Sequence, residues 1–332
     1  MDGLTDKIYG CLLAGLIGDA MGAPTELLRH YEAIYAKFGP EGVTDFEGVG
    51  TDDTAIREQL ISAIFASDGY PTVDHFGQSF LDSVEKNMHL WFVPVRNAYH
   101  KLNAGITLPA YAGWGNMQSS SSAMAISPMG IINACNPRQA ALETLDVASF
   151  IHNGDSGYCR DAACAIAAAT AEAFQPRATF ESVLDAATRY LLPTSAQEIR
   201  KRIVDVLALA NESGEYEVFR REFYERFLRS MQADSLETIP VTLGLFSLAQ
   251  GDVERGILWS ANFGRDSDTI ATMVGGLCGA LNGTGGIPSS WVAKVEANPD
   301  VQYRDISDRL AEIVRQRTKE SLARADALES LG

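Results

Sequence analysis

Helical signals run along almost the whole chain, and period-two alternation of apolar and polar residues is hard to find. A half-buried strand needs that alternation, so the pattern points to an all-α fold. Residues 5–22 read as a first helix rich in Gly, Ala and Leu, and Pro24 ends or kinks it. Its small residues allow another helix to approach closely. A short helix is expected over 27–38, closed by Gly39-Pro40, and the glycine-rich stretch 40–52 reads as a loop. Further helices are expected over 53–67, 73–86, 123–134, 137–151, 158–174, 179–190, 195–210, 214–232, 238–249, 252–263, 268–281 and 303–330. The Ala-rich 161–173 stretch has strong helix propensity. Segment 103–122 breaks the pattern: Gly105, Pro109, Gly113, Gly115 and Asn116 lead into the serines 119–122. A long loop inside a compact domain is usually functional. No linker, internal repeat or low-complexity tract divides the chain, so residues 1–332 are expected to form a single domain around one core.

The 332 residues carry a formal net charge of −16. Such a surface repels nucleic-acid backbones, which excludes general nucleic-acid binding, although a bound cation can reverse the local sign for a nucleotide substrate. No apolar run of membrane-spanning length exists. The N-terminal apolar stretch lacks a basic flank and is interrupted by Asp19 and glycines, so it reads as a buried helix rather than a signal peptide. A cytoplasmic location is the expectation. The five cysteines form no CxxC pair and are expected to be reduced core or near-core residues.

Two acidic turns stand out. Thr51-Asp52-Asp53-Thr54 and Asp266-Ser267-Asp268-Thr269 each follow a glycine-containing approach and each precede a helical pattern. Asp, Ser and Thr are ordinary helix N-caps, and carboxylates suit helix N-termini, so each turn taken alone reads as a capping site. Two adjacent carboxylates exceed what one cap needs. If the turns meet, their oxygens suit hard cations such as Mg²⁺, and a pair of ions sharing a carboxylate can activate water and orient substrate oxygens. Asp19 lies inside an apolar helix, where a carboxylate is costly unless it is paired; capping a neighbouring loop is one such pairing. Glu26 follows a proline turn and is either plain surface or part of a site. His152 adjoins the polar turn Asn153-Gly154-Asp155, and the 113–122 loop offers amides and hydroxyls that suit a phosphate. No Walker loop, nucleophile elbow or His-based zinc motif is present.

Taken together, these segments resemble the ADP-ribosylglycohydrolase family, which includes the dinitrogenase-reductase-activating glycohydrolases. Gly18-Asp19-Ala20-Met21-Gly22 with Glu26 is similar to the family's N-terminal signature, and Thr51-Asp52-Asp53-Thr54 matches its Thr-Asp-Asp-Thr. Gly264-Arg265-Asp266-Ser267-Asp268-Thr269, followed by Gly275 and Gly279, looks like its Gly-Gly-Asp-x-Asp-Thr and small-residue helix. The His152 segment is like its central His motif. The resemblance spans about residues 8–291.

The resemblance implies an all-α fold with a binuclear Mg²⁺ centre (Mn²⁺ being the other candidate), ligated by Thr51, Asp52, Asp53, Asp266, Asp268 and Thr269. It implies Glu26, Asp53 and Asp266 as catalytic residues. It also implies a substrate surface formed by Gly115, Asn116, Ser120, Ser121, His152 and Asp155. The expected reaction is hydrolysis of a ribosyl glycosidic bond, the partner being an ADP-ribosylated protein or a small ribosyl compound, with neither nucleic acid nor membrane involved. A nucleoside or small-riboside hydrolase and a non-catalytic ribosyl-binding relative are the alternatives. Three positions depart from the family pattern. Arg265 stands for the usual second glycine and adds a cation beside the acidic turn. Ile151 precedes His152 where many members carry Thr. A serine run follows Gly115-Asn116.

Overall fold

The computed structural model describes residues 1–83 and 88–331. Sixteen α-helices and no strand are found among them, as the sequence pattern predicts. In chain order they are α1 Gly3–Gly22, α2 Glu32–Phe38, α3 Asp52–Ala66, α4 Val73–Asp82, α5 Val93–Asn103, α6 Ser127–Ile132, α7 Pro137–Val147 and α8 Gly157–Ala173. Then follow α9 Phe180–Arg189, α10 Gln197–Ser213, α11 Tyr216–Arg226, α12 Ser235–Ala249, α13 Val253–Ala261, α14 Ser267–Asn282, α15 Ser289–Glu296 and α16 Tyr303–Glu329. One hydrophobic core runs through most of these helices. No helix among the described residues is long and apolar enough to cross a membrane.

The centre of the molecule is the antiparallel pair α1 and α14. Glycines on both helices let the backbones touch. A Cβ on Gly18 would lie 2.0 Å from the Ala271 carbonyl oxygen, and one on Gly22 would lie 2.5 Å from the Asp268 Cα. From the other side, a Cβ on Gly275 would meet the Ala14 oxygen at 2.3 Å, and one on Gly279 the Gly10 oxygen at 2.1 Å. No side chain larger than hydrogen fits at these four positions without parting the helices. The consequence for the site is direct: the C-terminal turn of α1 lies against the N-terminal turn of α14.

Two helices fall outside the sequence expectation, α5 and α15. Val93-Pro94-Val95 opens α5 with β-branched residues and a proline, which hide a helix start even though Pro94 is tolerated in a first turn. Helix α12 begins at Ser235, before the expected 238, because the Asp234 side chain accepts from the Leu236 amide at 2.9 Å. Pro240 lies inside it. The Leu236 carbonyl, which an amide at 240 would have reached, instead accepts from Arg202 Nε at 2.9 Å. The expected helix 73–86 runs to Asp82, and residues 84–87 lie outside the described residues. The expected helix 123–134 shrinks to α6, since residues 119–126 turn repeatedly on themselves. Four cysteines are buried, but Cys135 is exposed in a left-handed turn, which corrects the expectation of five core or near-core thiols.

The close contact makes a contrast that stability measurements check. Gly18→Ala places its methyl against backbone and is expected to cost about 2–3 kcal/mol. Gly276→Ala, whose methyl would meet nothing nearer than 3.8 Å, is expected to be neutral or to stabilise by up to about 1 kcal/mol through helix propensity. Chemical denaturation of the two variants reads the difference.

Candidate active site

Asp19, in the last full turn of α1, organises the site. It is completely buried. Its Oδ1 accepts from Thr51 Oγ1 at 2.6 Å, and its Oδ2 accepts from the Thr51 amide at 2.9 Å, the Thr54 amide at 3.0 Å and Thr54 Oγ1 at 2.5 Å. The N-cap residue of α3, Thr51, makes no capping bond of its own. A carboxylate from another helix therefore satisfies the exposed amides at the start of α3. Capping of a neighbouring loop, one of the pairings foreseen for Asp19, is the arrangement found, and it pins the first acidic turn to α1.

The second acidic turn arrives through α14. Asp266 is its N-cap residue, and Asp268 and Thr269 lie in its first turn. The two turns meet directly: Thr269 Oγ1 donates to Asp53 Oδ2 at 3.2 Å, and Thr51 Oγ1 reaches Asp268 Oδ2 at 3.5 Å. One oxygen each from Asp19, Asp53 and Asp268 lie within 4.8 Å of one another, as do oxygens of Glu26, Asp266 and Asp268. Asp268 belongs to both triads. Asp53 Oδ1 is buried with no hydrogen-bond partner. An unpartnered carboxylate oxygen set among other carboxylates fits a donor set for a cation. The donors are all oxygens, the choice of hard divalent ions.

Burial and crowding raise the acidity constants of these groups. Desolvation pushes Asp52 up to about 7, helped by the nearby charges of Asp19 and Glu26. Desolvation likewise lifts Asp266 to about 8, although Ser120 Oγ donates to its Oδ2 at 2.9 Å and pulls the other way. Asp53 and Asp268 lie well above the ordinary carboxylate value, first from burial and then from neighbouring carboxylates. Glu26, half-buried at the cleft wall, is raised by burial and by Asp19. An acid whose folded pKa is raised binds more protons in the native than in the unfolded chain. Its stabilising share is present at low pH and is lost as pH rises through the folded value.

The cation-free protein is therefore expected to lose thermal stability between about pH 5 and pH 8, with the carboxylates titrating as a set. A divalent cation would bind the ionised set. Its addition should raise the melting temperature more at pH 8 than at pH 5.5, by about 2.7 kcal/mol in stability at a free concentration about 100 times Kd. Calorimetric scans at the two pH values, with and without Mg²⁺, measure this.

The acidic cluster forms the floor of a cleft of about 650 Å³. Glu26, Asp52, Asp266, Asp268 and Thr269 line it, together with Ser120 and Ser121. Thr51 and Asp53 sit behind that lining, held by the bonds already described. Gly115, Asn116, His152 and Asp155 do not line it. Asn116 is buried, donating to the carbonyls of Pro94 at 2.9 Å and Ile151 at 2.8 Å. His152 is fully buried, with Nδ1 2.6 Å from Ser122 Oγ and Nε2 3.0 Å from Ser119 Oγ. Burial depresses its pKa to about 3, so it is a neutral ring that holds the serine loop from behind. Gly115 and Asp155 are exposed elsewhere. Ile151 is buried, and its carbonyl is spent on Asn116.

Arg265 does not leave a free cation beside the acidic turn. Its Nε and Nη2 donate to Glu237 Oε1 at 2.7 Å and Oε2 at 2.9 Å, and the pair is buried. Its backbone has a φ of +67° and faces Leu27, whose φ is +66°. The Leu27 amide donates to the Arg265 carbonyl at 3.0 Å, and the Arg265 amide donates to the Leu28 carbonyl at 2.8 Å. This paired, strained backbone fixes the segment that carries Glu26. The remaining wall comes from residues 89–92 and 230–233 with Arg29, Arg96 and Met124. No motif marked these positions, because each reaches the cleft only through tertiary packing.

An all-helical domain with an oxygen-rich acidic floor under a cleft of about 650 Å³ fits a hydrolase of polar substrates. Residues 1–323 match the family model described as ADP-ribosylglycohydrolase. The chain is 24% identical to the human protein named ADP-ribosylhydrolase ARH3, over 87% of this chain and 89% of that one. It is 26% identical to a Pseudomonas putida protein named ADP-ribosylarginine hydrolase Tri1, over 93% of this chain and 80% of that one. A solved structure of an ADP-ribosylglycohydrolase-related protein complex superposes with a TM-score of 0.68 at 20% identity, covering 95% of this chain and 99% of that one. The chain belongs to the ADP-ribosylglycohydrolase family, and it is a glycosidic-bond hydrolase.

Proposed function

We propose that this protein hydrolyses the glycosidic bond between ADP-ribose and an acceptor, using a pair of Mg²⁺ (or Mn²⁺) ions held at the acidic floor. The observation that carries the reading is the junction of the two acidic turns, with Asp268 common to two carboxylate triads and Asp53 Oδ1 left without a partner. The human and Pseudomonas putida relatives are both named for the hydrolysis of ADP-ribosyl groups. Asp52, Asp53, Asp266 and Asp268, with the hydroxyls of Thr51 and Thr269, would hold the ions, and Asp19 joins Asp53 and Asp268 in one triad. A hard divalent ion held there would supply Lewis acidity toward a water and toward hydroxyl oxygens of the substrate.

The protein's own groups do the rest. In the reaction the anomeric carbon's bond to the acceptor nitrogen or oxygen breaks, a water oxygen bonds to that carbon, and a proton passes to the departing acceptor. Positive charge develops on the ribosyl ring as the bond breaks, and the carboxylates of the floor stabilise it. Glu26 faces the cleft on a strained, fixed segment, and its raised pKa suits a residue that takes the proton from the attacking water. Asp53 and Asp266 would complete the catalytic set by holding the ions. Ser120 orients Asp266 through its 2.9 Å hydrogen bond.

A panel of ADP-ribosylated peptides, nucleosides and simple ribosides, assayed with and without chelator, tests this. Cation-dependent release of ADP-ribose is expected from the first group. Asp53→Asn and Asp268→Ala should each lower kcat by at least about a hundredfold. Cation-dependent turnover retained in both variants would overturn the assignment.

A further inference from the structure

The loop after α5 presents four large apolar side chains to solvent. Ile106, Leu108, Tyr111 and Trp114 are each between 58% and 75% exposed. Single exposed apolar residues are ordinary, but four within so short a segment make a ridge. The ridge is held firmly. The Ile106 amide donates to the Lys101 carbonyl at 3.0 Å, and Lys101 Nζ donates to the Trp114 carbonyl at 2.8 Å, so one residue of α5 fastens both ends. The Tyr111 and Trp114 amides close turns on the Leu108 and Tyr111 carbonyls at 3.0 and 3.1 Å. From below, Ala112 is fully buried, and Asn153 Nδ2 donates to the Ala110 carbonyl at 2.9 Å. Pro109 packs so closely on α4 that a Cβ on Gly77 would lie 3.0 Å from it. The Trp114 ring rests on Gly154, where a Cβ would fall 3.2 Å from it. Apolar side chains held outward on a fixed support gain no burial from their own fold.

Charge is distributed to match. Residues 88–142 contain neither Asp nor Glu, although the chain has 43 of them and a net charge of −16. Arg96 and Lys101 are the cations nearest the ridge in sequence, and the exposed Asp155 stands at its edge beside Gly154. Two copies of so acidic a protein repel one another over most of their surface. A segment without carboxylates is where that repulsion is least. The area also suffices. The four side chains together expose about 500 Å², and against a second copy, with the rim residues Leu90 and Val93, they would bury about 1,000 Å² or more in total, the size of a small specific interface. Tyr and Trp are the residue types that carry most interface energy. We infer that the ridge 106–114 is the two-fold interface of a homodimer. Ile106, Leu108, Tyr111 and Trp114 of one copy pack on the same four residues of the other.

Sedimentation equilibrium of the full chain between about 1 and 100 μM tests it, a range that spans ordinary dimer affinities. The proteins are the wild type, the double variant Ile106→Ser with Trp114→Ser, the single variant Leu108→Asp, and Leu322→Ser with Leu328→Ser. The last pair removes two exposed leucines from α16, far along the chain from the ridge. The wild type is expected to be dimeric at the upper end of the range. The ridge double variant should weaken the dimer at least about a hundredfold. Leu108→Asp, which adds a carboxylate to the acid-free face, should do the same. The α16 variant should match the wild type. Raising the ionic strength should tighten the wild-type dimer, since salt screens the repulsion between the acidic bodies while apolar contact persists. All the substituted side chains are exposed, so thermal melting of the variants at low concentration should stay close to that of the wild type.

A wild type that stays monomeric across the whole range would overturn the inference and leave the ridge to a different occupant. So would a dimer that survives both ridge variants, or one that only the α16 variant dissolves. Acrylamide quenching of tryptophan fluorescence gives a second reading on the wild type alone. Trp114 should be quenched less at about 100 μM than at about 1 μM, because a partner copy would cover it. Quenching that does not change with concentration counts against the interface. These measurements read assembly alone, so their outcome is independent of whether the protein hydrolyses an ADP-ribosyl bond.

Discussion

The contact between α1 and α14 is the constraint on which the site depends. Helices packed through ordinary side chains sit 8–10 Å apart. Here glycines on both sides bring backbone against backbone, with a Cβ on Gly18 falling 2.0 Å from a carbonyl oxygen. That approach sets the last turn of one helix beside the first turn of the other. Asp19 then stands next to Asp268, and everything acidic in the cleft is arranged around that pair. A bulkier interface would leave the same carboxylates too far apart to share a cation.

Gathering so many carboxylates in a dry place is unfavourable unless they are compensated. Part of the compensation comes from hydroxyls and amides: Asp19 accepts four hydrogen bonds from Thr51 and Thr54. Part comes from the fully buried Arg57, whose charge lowers the Asp19 pKa against the effect of burial. Room for that guanidinium exists because residue 15 is glycine; a Cβ there would fall 2.3 Å from Arg57 Nη1. Its Nη2 donates to the Tyr303 hydroxyl at 2.8 Å, so the long terminal helix α16 braces the site from behind. The remainder of the charge is uncompensated by protein, as the raised values of Asp52 and Asp266 show. A cation bound there would relieve that uncompensated charge and so couple function to stability.

The polar loop at 113–122 divides its labour in a way its composition does not disclose. Ser120 and Ser121 face the cleft, while Ser119 and Ser122 turn inward to the two nitrogens of His152. A neutral, buried imidazole is a suitable core for such a loop, since each nitrogen finds a hydroxyl partner. His152 thus reaches the site through the serines it holds.

Local order was legible in advance where it depends on neighbours a few residues apart. Helix periodicity, the Ala-rich α8, the breaks at proline and glycine, and the oxygen-bearing turns before α3 and α14 are all properties of short windows. So was the chemistry on offer: carboxylates and hydroxyls paired twice, fit for helix caps or for hard cations. What no window contained was which of them face one another. Asp19 bonds to residues 32 and 35 positions away, and Asp53 meets Thr269 across 216. Arg265 was visible as a departure, but that its charge is cancelled by Glu237 was not. These outcomes follow from how closely α1 and α14 pack, because interhelical distance decides whether two turns are separate caps or one site.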